Sequence, residues 1–82
     1  MSRLYKPARP IEVQVDEEGR PLAVLWRGAL YYGRPCNQWR IHTGWWDEEV
    51  WRDYYQWEGD GLVCEMYRDR LHDGWYMHRV YD

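Results

Sequence analysis

Phenylalanine is absent from these 82 residues, serine occurs only as Ser2, threonine only as Thr43, and lysine only as Lys6. With so few hydroxyl side chains a Ser/His/Asp nucleophilic arrangement is effectively excluded. No segment of ten or more residues repeats its apolar positions with a 3.6-residue period, so any helix is a turn or two. No apolar run is long enough to span a bilayer, and Met1 to Pro10 lacks the apolar stretch of a leader peptide. Internal repeats and low-complexity tracts are missing as well.

Potential ligands for a metal are sparse and scattered. Cys36, His42, Cys64, His72 and His78 stand singly, without the local spacing of a zinc site. The two cysteines fall in separate segments and read as reduced thiols of a cytoplasmic protein, with Cys64 buried on a strand. Gly59-Asp60-Gly61 is too short and too acidic to cradle a phosphate. Carboxylates cluster at Asp16-Glu17-Glu18 and Asp47-Glu48-Glu49, where turns leave them solvated. Arg52, Asp53, Glu65 and Arg68 are placed to form cross-strand ion pairs rather than an acid/base pair. Cys64 with His78 is the one conceivable thiol pair, and nothing in the spacing brings them together. The reading is of a protein that is not an enzyme and takes no cofactor or metal.

What the chain has in abundance is aromatic: seven Trp and eight Tyr. A domain of this length buries only about 60% of its unfolded surface, and each large ring carries about 150–250 Å² with a polar handle. So many rings exceed what one small core needs, and the excess is expected at a contact surface. Arg outnumbers Lys ten to one, which fits either the codon usage of a GC-rich genome or selection for ring stacking and forked hydrogen bonds. The net charge of −3 divides into seven cations and four acids over residues 1–45, and four cations and ten acids over residues 46–82. Two electrostatic faces suit docking to a protein or to a second copy better than wrapping a polyanion.

Along the chain, residues 1–10 carry three cations, no acid and two prolines, and read as a flexible basic arm without regular structure. Residues 11–82 read as a single β domain. Ile11, Val13 and Val15 alternate with polar residues, and Leu22, Val24 and Trp26 follow after a turn at Gly19. Gly28 breaks or bulges that run, and Ala29 to Tyr32 continue it or begin another strand. Gly33 to Asn37 reads as a loop, and a further strand runs through Trp39 and Ile41. Thr43 to Glu49 interrupts the pattern, with acids that suit a single helical turn. Three strands then run from Val50 to Trp57, from Leu62 to Arg68 and from Trp75 to Tyr81, separated by Gly/Asp breaks. The fold expected is all-β: one small antiparallel meander of five or six strands, curled or partly closed into a barrel.

Arg52-Asp53-Tyr54-Tyr55, Asp60 to Cys64, Tyr67-Arg68-Asp69 and Gly74 to Asp82, with Trp26-Arg27-Gly28 upstream, resemble a family of small bacterial domains of unknown function. That likeness runs from about Pro10 onward. The last third is also similar to the C-terminal tail of ImuB-like, Y-family polymerase-related proteins. Neither likeness supplies catalytic residues. The chain has no polymerase palm, no acidic metal-binding pair and no glutamine-led clamp peptide, so the resemblance implies an accessory or interaction module near DNA repair or translesion synthesis.

The function expected is a non-enzymatic module that meets a protein partner or its own copy through exposed Trp and Tyr. Its candidate surface is Tyr31, Tyr32, Arg34, Trp39, Arg40, Trp45, Trp46 and Trp51. The alternative is a single-stranded nucleic-acid binder that stacks bases on the same Arg/aromatic surface. A membrane is not expected as a partner.

Overall fold

The computed structural model describes residues 2–45 and 48–81. Seven strands make up the fold: β1 (Ser2–Val15), β2 (Pro21–Trp26), β3 (Ala29–Tyr32), β4 (Arg34–Trp45), β5 (Glu48–Gly59), β6 (Leu62–Asp69) and β7 (Gly74–Tyr81). They form one antiparallel, curled half-barrel sheet in the order β3-β2-β1-β7-β6-β5-β4. Neighbours in space are neighbours in sequence except at β1 and β7, where Ser2 pairs with Tyr81 and Ile11 with Trp75. Among the described residues no helix is long and apolar enough to cross a membrane.

The turns follow from residues that tolerate positive φ. Arg27 and Gly28 have φ of 50° and 80°, and Asp60 and Gly61 have φ of 52° and 85°. Both pairs fit two-residue hairpins of the kind whose twist matches that of their strands. The Arg27-Gly28 turn is why seven strands form rather than five or six. It reverses the chain, so that Trp26 pairs with Ala29 and β3 is a strand of its own.

Three further expectations are corrected. Residues 2–10 belong to β1 and pair with β7 at Ser2–Leu4 and from Arg9 on, across an irregularity that accommodates Pro7. Gly33 to Asn37 is not a loop: β4 starts at Arg34 and absorbs Cys36 as a bulge between Pro35 and Asn37. Glu48 and Glu49 start no helical turn, because β5 already begins there.

Curling brings the two ends of the sheet together. β3 lies at one edge and β4 at the other, yet Gly33 alone joins them. At this corner the Gly33 N–H donates to the Leu22 carbonyl at 3.1 Å, and the Tyr32 N–H donates to Asp60 Oδ2 at 2.9 Å. Inside it, Trp57 Nε1 donates to the Pro21 carbonyl at 3.0 Å. The backbones of Gly33 and Gly59 pass so close that a Cβ on either would strike the other strand's main chain. Two glycines are therefore a condition of closure.

The core fills the concave side. Trp57 is fully buried, and Val24, Trp26 and Tyr5 from the β1–β2 end pack with Tyr55, Leu62, Cys64, Met66 and Met77 from the other arm. Tyr5 meets Trp26 edge-on with ring centroids 5.4 Å apart. Val80 joins this side because a bulge leaves His78 as an extra residue, with Cys64 opposite Val80 and Met66 opposite Met77. Strict alternation from Trp75 and Met77 would put Val80 on the other face, with Tyr76 and His78.

Gly59→Ala is expected to lower unfolding free energy by about 1–3 kcal/mol, in the range of overpacking. Gly44→Ala, whose Cβ would meet, among the described residues, only Glu49 Cγ at 3.9 Å, should be close to neutral. Urea unfolding of both variants checks the seam, and equal midpoints would refute it.

Candidate functional site

Residues directly opposite in an antiparallel pair share a face, so the register sorts every side chain. Trp39 on β4 is opposite Tyr54 on β5, Tyr54 is opposite Tyr67 on β6, Tyr67 is opposite Tyr76 on β7, and Tyr76 is opposite Pro10 on β1. One straight row of rings thus crosses the convex face, with centroid separations of 5.6, 5.0 and 5.3 Å. Arg52 lies over Tyr67 at 4.5 Å and donates from Nη1 to the Tyr54 hydroxyl at 3.2 Å. His78 stands edge-on to Tyr54 and Tyr67 and 3.4 Å from Glu65. This cover leaves Tyr54 and Tyr67 only 8% and 7% exposed on what would otherwise be an open face. Burial pushes the Tyr67 hydroxyl pKa up, and the Arg52 guanidinium partly offsets the rise.

The row ends differently on its two sides. Pro10 closes it at β1. At the other end Trp39 is 37% exposed on the last strand of the sheet.

The concave face carries a polar cluster beyond the core. Asp53 accepts from Arg40 Nε at 2.8 Å and from Arg70 Nη1 at 3.1 Å. Arg70 also lies over the Trp51 ring, and Trp51 stacks on His42 with centroids 4.8 Å apart. His42 in turn meets Glu49 at 2.9 Å. The expected pairing among Arg52, Asp53, Glu65 and Arg68 does not form. Asp53 takes Arg40 and Arg70, Arg68 takes Asp73 at 3.0 Å, and Glu65 faces His78. Each Asp53 carboxylate oxygen thus accepts from a different guanidinium, a charge-assisted pairing that ties β4 and the β6–β7 connection to β5.

Cys64 lies on the concave side and His78 on the convex side, so they form no nucleophilic pair. Cys36 and Cys64 are both free thiols. Burial pushes the Cys64 thiol pKa up to about 12. Among the described residues no group of three or more His, Cys, Asp or Glu is placed to hold a metal ion. A shallow groove of about 660 Å³ runs along the seam past Tyr32, Arg34 and Glu58, and its acids Glu58 and Asp60 disfavour an anionic ligand.

The predicted surface divides. Tyr31 packs against the core, while Tyr32, 55% exposed, and Arg34 line the seam groove. Trp39 joins the convex row; Arg40 and Trp51 face the concave cluster. Trp46 lies outside the described residues, and Trp45 enters only as the last backbone position of β4. Sequence reasoning missed Tyr54, Tyr67 and Tyr76. Their signal was an aromatic residue on the non-core face of each of three successive strands, which only the register aligns. Comparison with known proteins finds no family model, no curated protein and no solved structure that matches the chain.

A thiol reagent at mildly alkaline pH is expected to label Cys36 quickly and Cys64 only after unfolding. Two fast equivalents in the native state would contradict the burial of Cys64. At Asp69, burial pushes the pKa up, but hydrogen bonds from the His72 ring and from the His72 and Leu71 amides outweigh it and hold the pKa below the usual 3.8. A carboxyl lowered on folding adds stability above its unfolded pKa, and that stability is lost as pH falls through the folded value. Asp69→Asn should therefore be less stable than the parent at pH 7 and lose less of its stability below about pH 4, as thermal melts across pH would show.

Proposed function

We propose that this chain is a non-enzymatic contact module that binds a protein, either a partner or its own copy, through the outer end of its convex aromatic row. The observation that carries the reading is the exposed Trp39 at the open end of a row of rings, on an edge strand. Trp, Tyr and Arg, the residues of this row, are those enriched where proteins meet. The resemblance of the last third to ImuB-like tails supports a contact near DNA repair or translesion synthesis, and the two free thiols suit the cytoplasm.

A single-stranded nucleic acid is the rival ligand, since exposed rings beside arginines stack bases. Two of those arginines are engaged, Arg40 by Asp53 and Arg52 by the Tyr54 hydroxyl, and the net charge is −3. Free cations for phosphates are few.

Tagged parent and Trp39→Ala chains, used to capture interacting proteins, test the reading alongside oligonucleotide binding at low salt. The parent is expected to retain at stoichiometric level a protein, or its own untagged copy, that the variant loses, with no oligonucleotide affinity. Identical captures from both chains, together with oligonucleotide binding that weakens steeply with salt, would replace this reading with the rival.

A further inference from the structure

The edge strand on which the row ends is an unusual one to leave uncovered. Edge strands are ordinarily blunted by lysine, proline, bulges or brevity. β4 spends its proline and its bulge at Pro35 and Cys36 and then continues to Trp45, with no lysine and no further irregularity. Among the described residues it pairs with β5 alone. Asn37 turns its side chain onto one amide, the Gln38 N–H at 2.9 Å. Beyond it Trp39, Arg40, Ile41, His42 and Thr43 are all exposed.

We propose that two copies of this chain join by antiparallel pairing of β4 with β4 of the partner, with Trp39 on the two-fold axis. The inference rests on the reading of the chain as a contact module and names its partner.

Two features specify a second copy. The first is the row itself, which is closed by Pro10 at one end and lacks a ring beyond Trp39 at the other. A two-fold at Trp39 sets it opposite the partner's Trp39, and the row runs unbroken across both sheets.

The second is charge. β4 carries the basic residues Arg34, Arg40 and His42 and no acid, so most of its longer self-pairings bring two basic side chains together, and two of them bring arginine against arginine. Centred on residue 37, Arg34 meets the partner's Arg40. Centred on 38, Arg34 meets the partner's His42. Centres at 40, 41 and 42 oppose Arg40 to itself, Arg40 to His42, and His42 to itself. Among the centres from 37 to 42, which pair the longest stretches of the strand, that at 39 alone avoids every pair of basic side chains: Arg34 falls opposite the partner's Gly44, Arg40 opposite the partner's Gln38, and His42 opposite the partner's Cys36. Like charges directly opposite are destabilising, so charge disfavours the arginine–arginine registers at 37 and 40, and the centre at 39, free of any basic pair, is also the one that joins the rings. The interface is isologous, as a closed dimer requires. Both bulges fall outside its central ladder, which runs from Asn37 to Ile41 of each copy.

Light scattering on dilution, with variants at Gln38, tests this. The parent is expected at twice its 10.2 kDa mass. Gln38→Glu, opposite the partner's Arg40, should tighten the dimer, and Gln38→Arg should raise its Kd by roughly tenfold or more. Gln38 is exposed, so both variants should keep the fold, and matching thermal melts at low concentration would establish that. In a second arm, Cys36→Ser/Trp39→Cys is expected to oxidise to a covalent dimer, while Cys36→Ser/Ile41→Cys is not, since symmetric thiols meet only at the axis. A single-chain mass at every concentration, equal Kd for the two Gln38 variants, or equal cross-linking at 39 and 41 would overturn the proposal. A chain that stays single yet loses a captured protein on Trp39→Ala would remove self-pairing and keep the contact reading. One that stays single and captures nothing would remove both.

Discussion

Closure at Gly33 is the constraint on which the rest of this molecule depends. One residue carries the chain from the β3 edge of the sheet to the β4 edge, so the sheet must bend until its two ends lie side by side. The bend creates the interior that Trp57 fills, and the Trp57 indole hydrogen bond to Pro21 ties the closing arms through the core. The missing side chains of Gly33 and Gly59 make the approach sterically possible, and the Asp60 carboxylate satisfies a Tyr32 amide that finds no strand beside it. That hydrogen bond is exposed, so its net contribution is modest, about 0.5–1.5 kcal/mol, and it ties the β5–β6 hairpin turn to the end of β3.

The curl also accounts for the aromatic wealth. A chain this short cannot hold all of its rings in one interior, and they divide between two faces. The concave face takes Trp26, Trp57, Tyr5 and Tyr55 as core. The convex face takes Trp39, Tyr54, Tyr67 and Tyr76 as a row laid flat across four strands, each cross-strand pair contributing about 0.2–1 kcal/mol. Arginine serves both faces, over Tyr67 through Arg52 and over Trp51 through Arg70. Its planar, weakly hydrated head lies on a ring and still donates hydrogen bonds, which an ammonium does less well.

Much of this architecture was legible in the residues. Alternation alone separates the two faces of β5 and β6, because their core positions Tyr55, Trp57, Leu62, Cys64 and Met66 keep strict period two. The Gly/Asp breaks marked the hairpins of the last third. Legibility failed where geometry depends on a distant partner. Residues 2–10 carry no strand pattern of their own and become a strand because β7 offers an edge. The bulge at His78 turned Val80 inward against simple alternation, and the bulge at Cys36 hid the start of β4 behind residues that read as a loop. The candidate surface was chosen by proximity in sequence, and neighbours such as Trp39 and Arg40 point to opposite faces for that reason. Register was the missing information, and no local signal supplies it.

β1 has a double allegiance that bears on how the chain assembles. Its later half pairs with β2 through Glu12 to Val15, close in sequence, while its earlier half must wait for β7 at the far end. The β4 to β7 hairpins can zip locally on the microsecond scale, but the β1–β7 ladder closes the longest loop in the molecule and bears the largest entropic cost. Sequence separation therefore favours an order in which the β1–β3 and β4–β7 sub-sheets form before that ladder joins them. Until it does, the surfaces that will become the core stay open to water and to one another's copies.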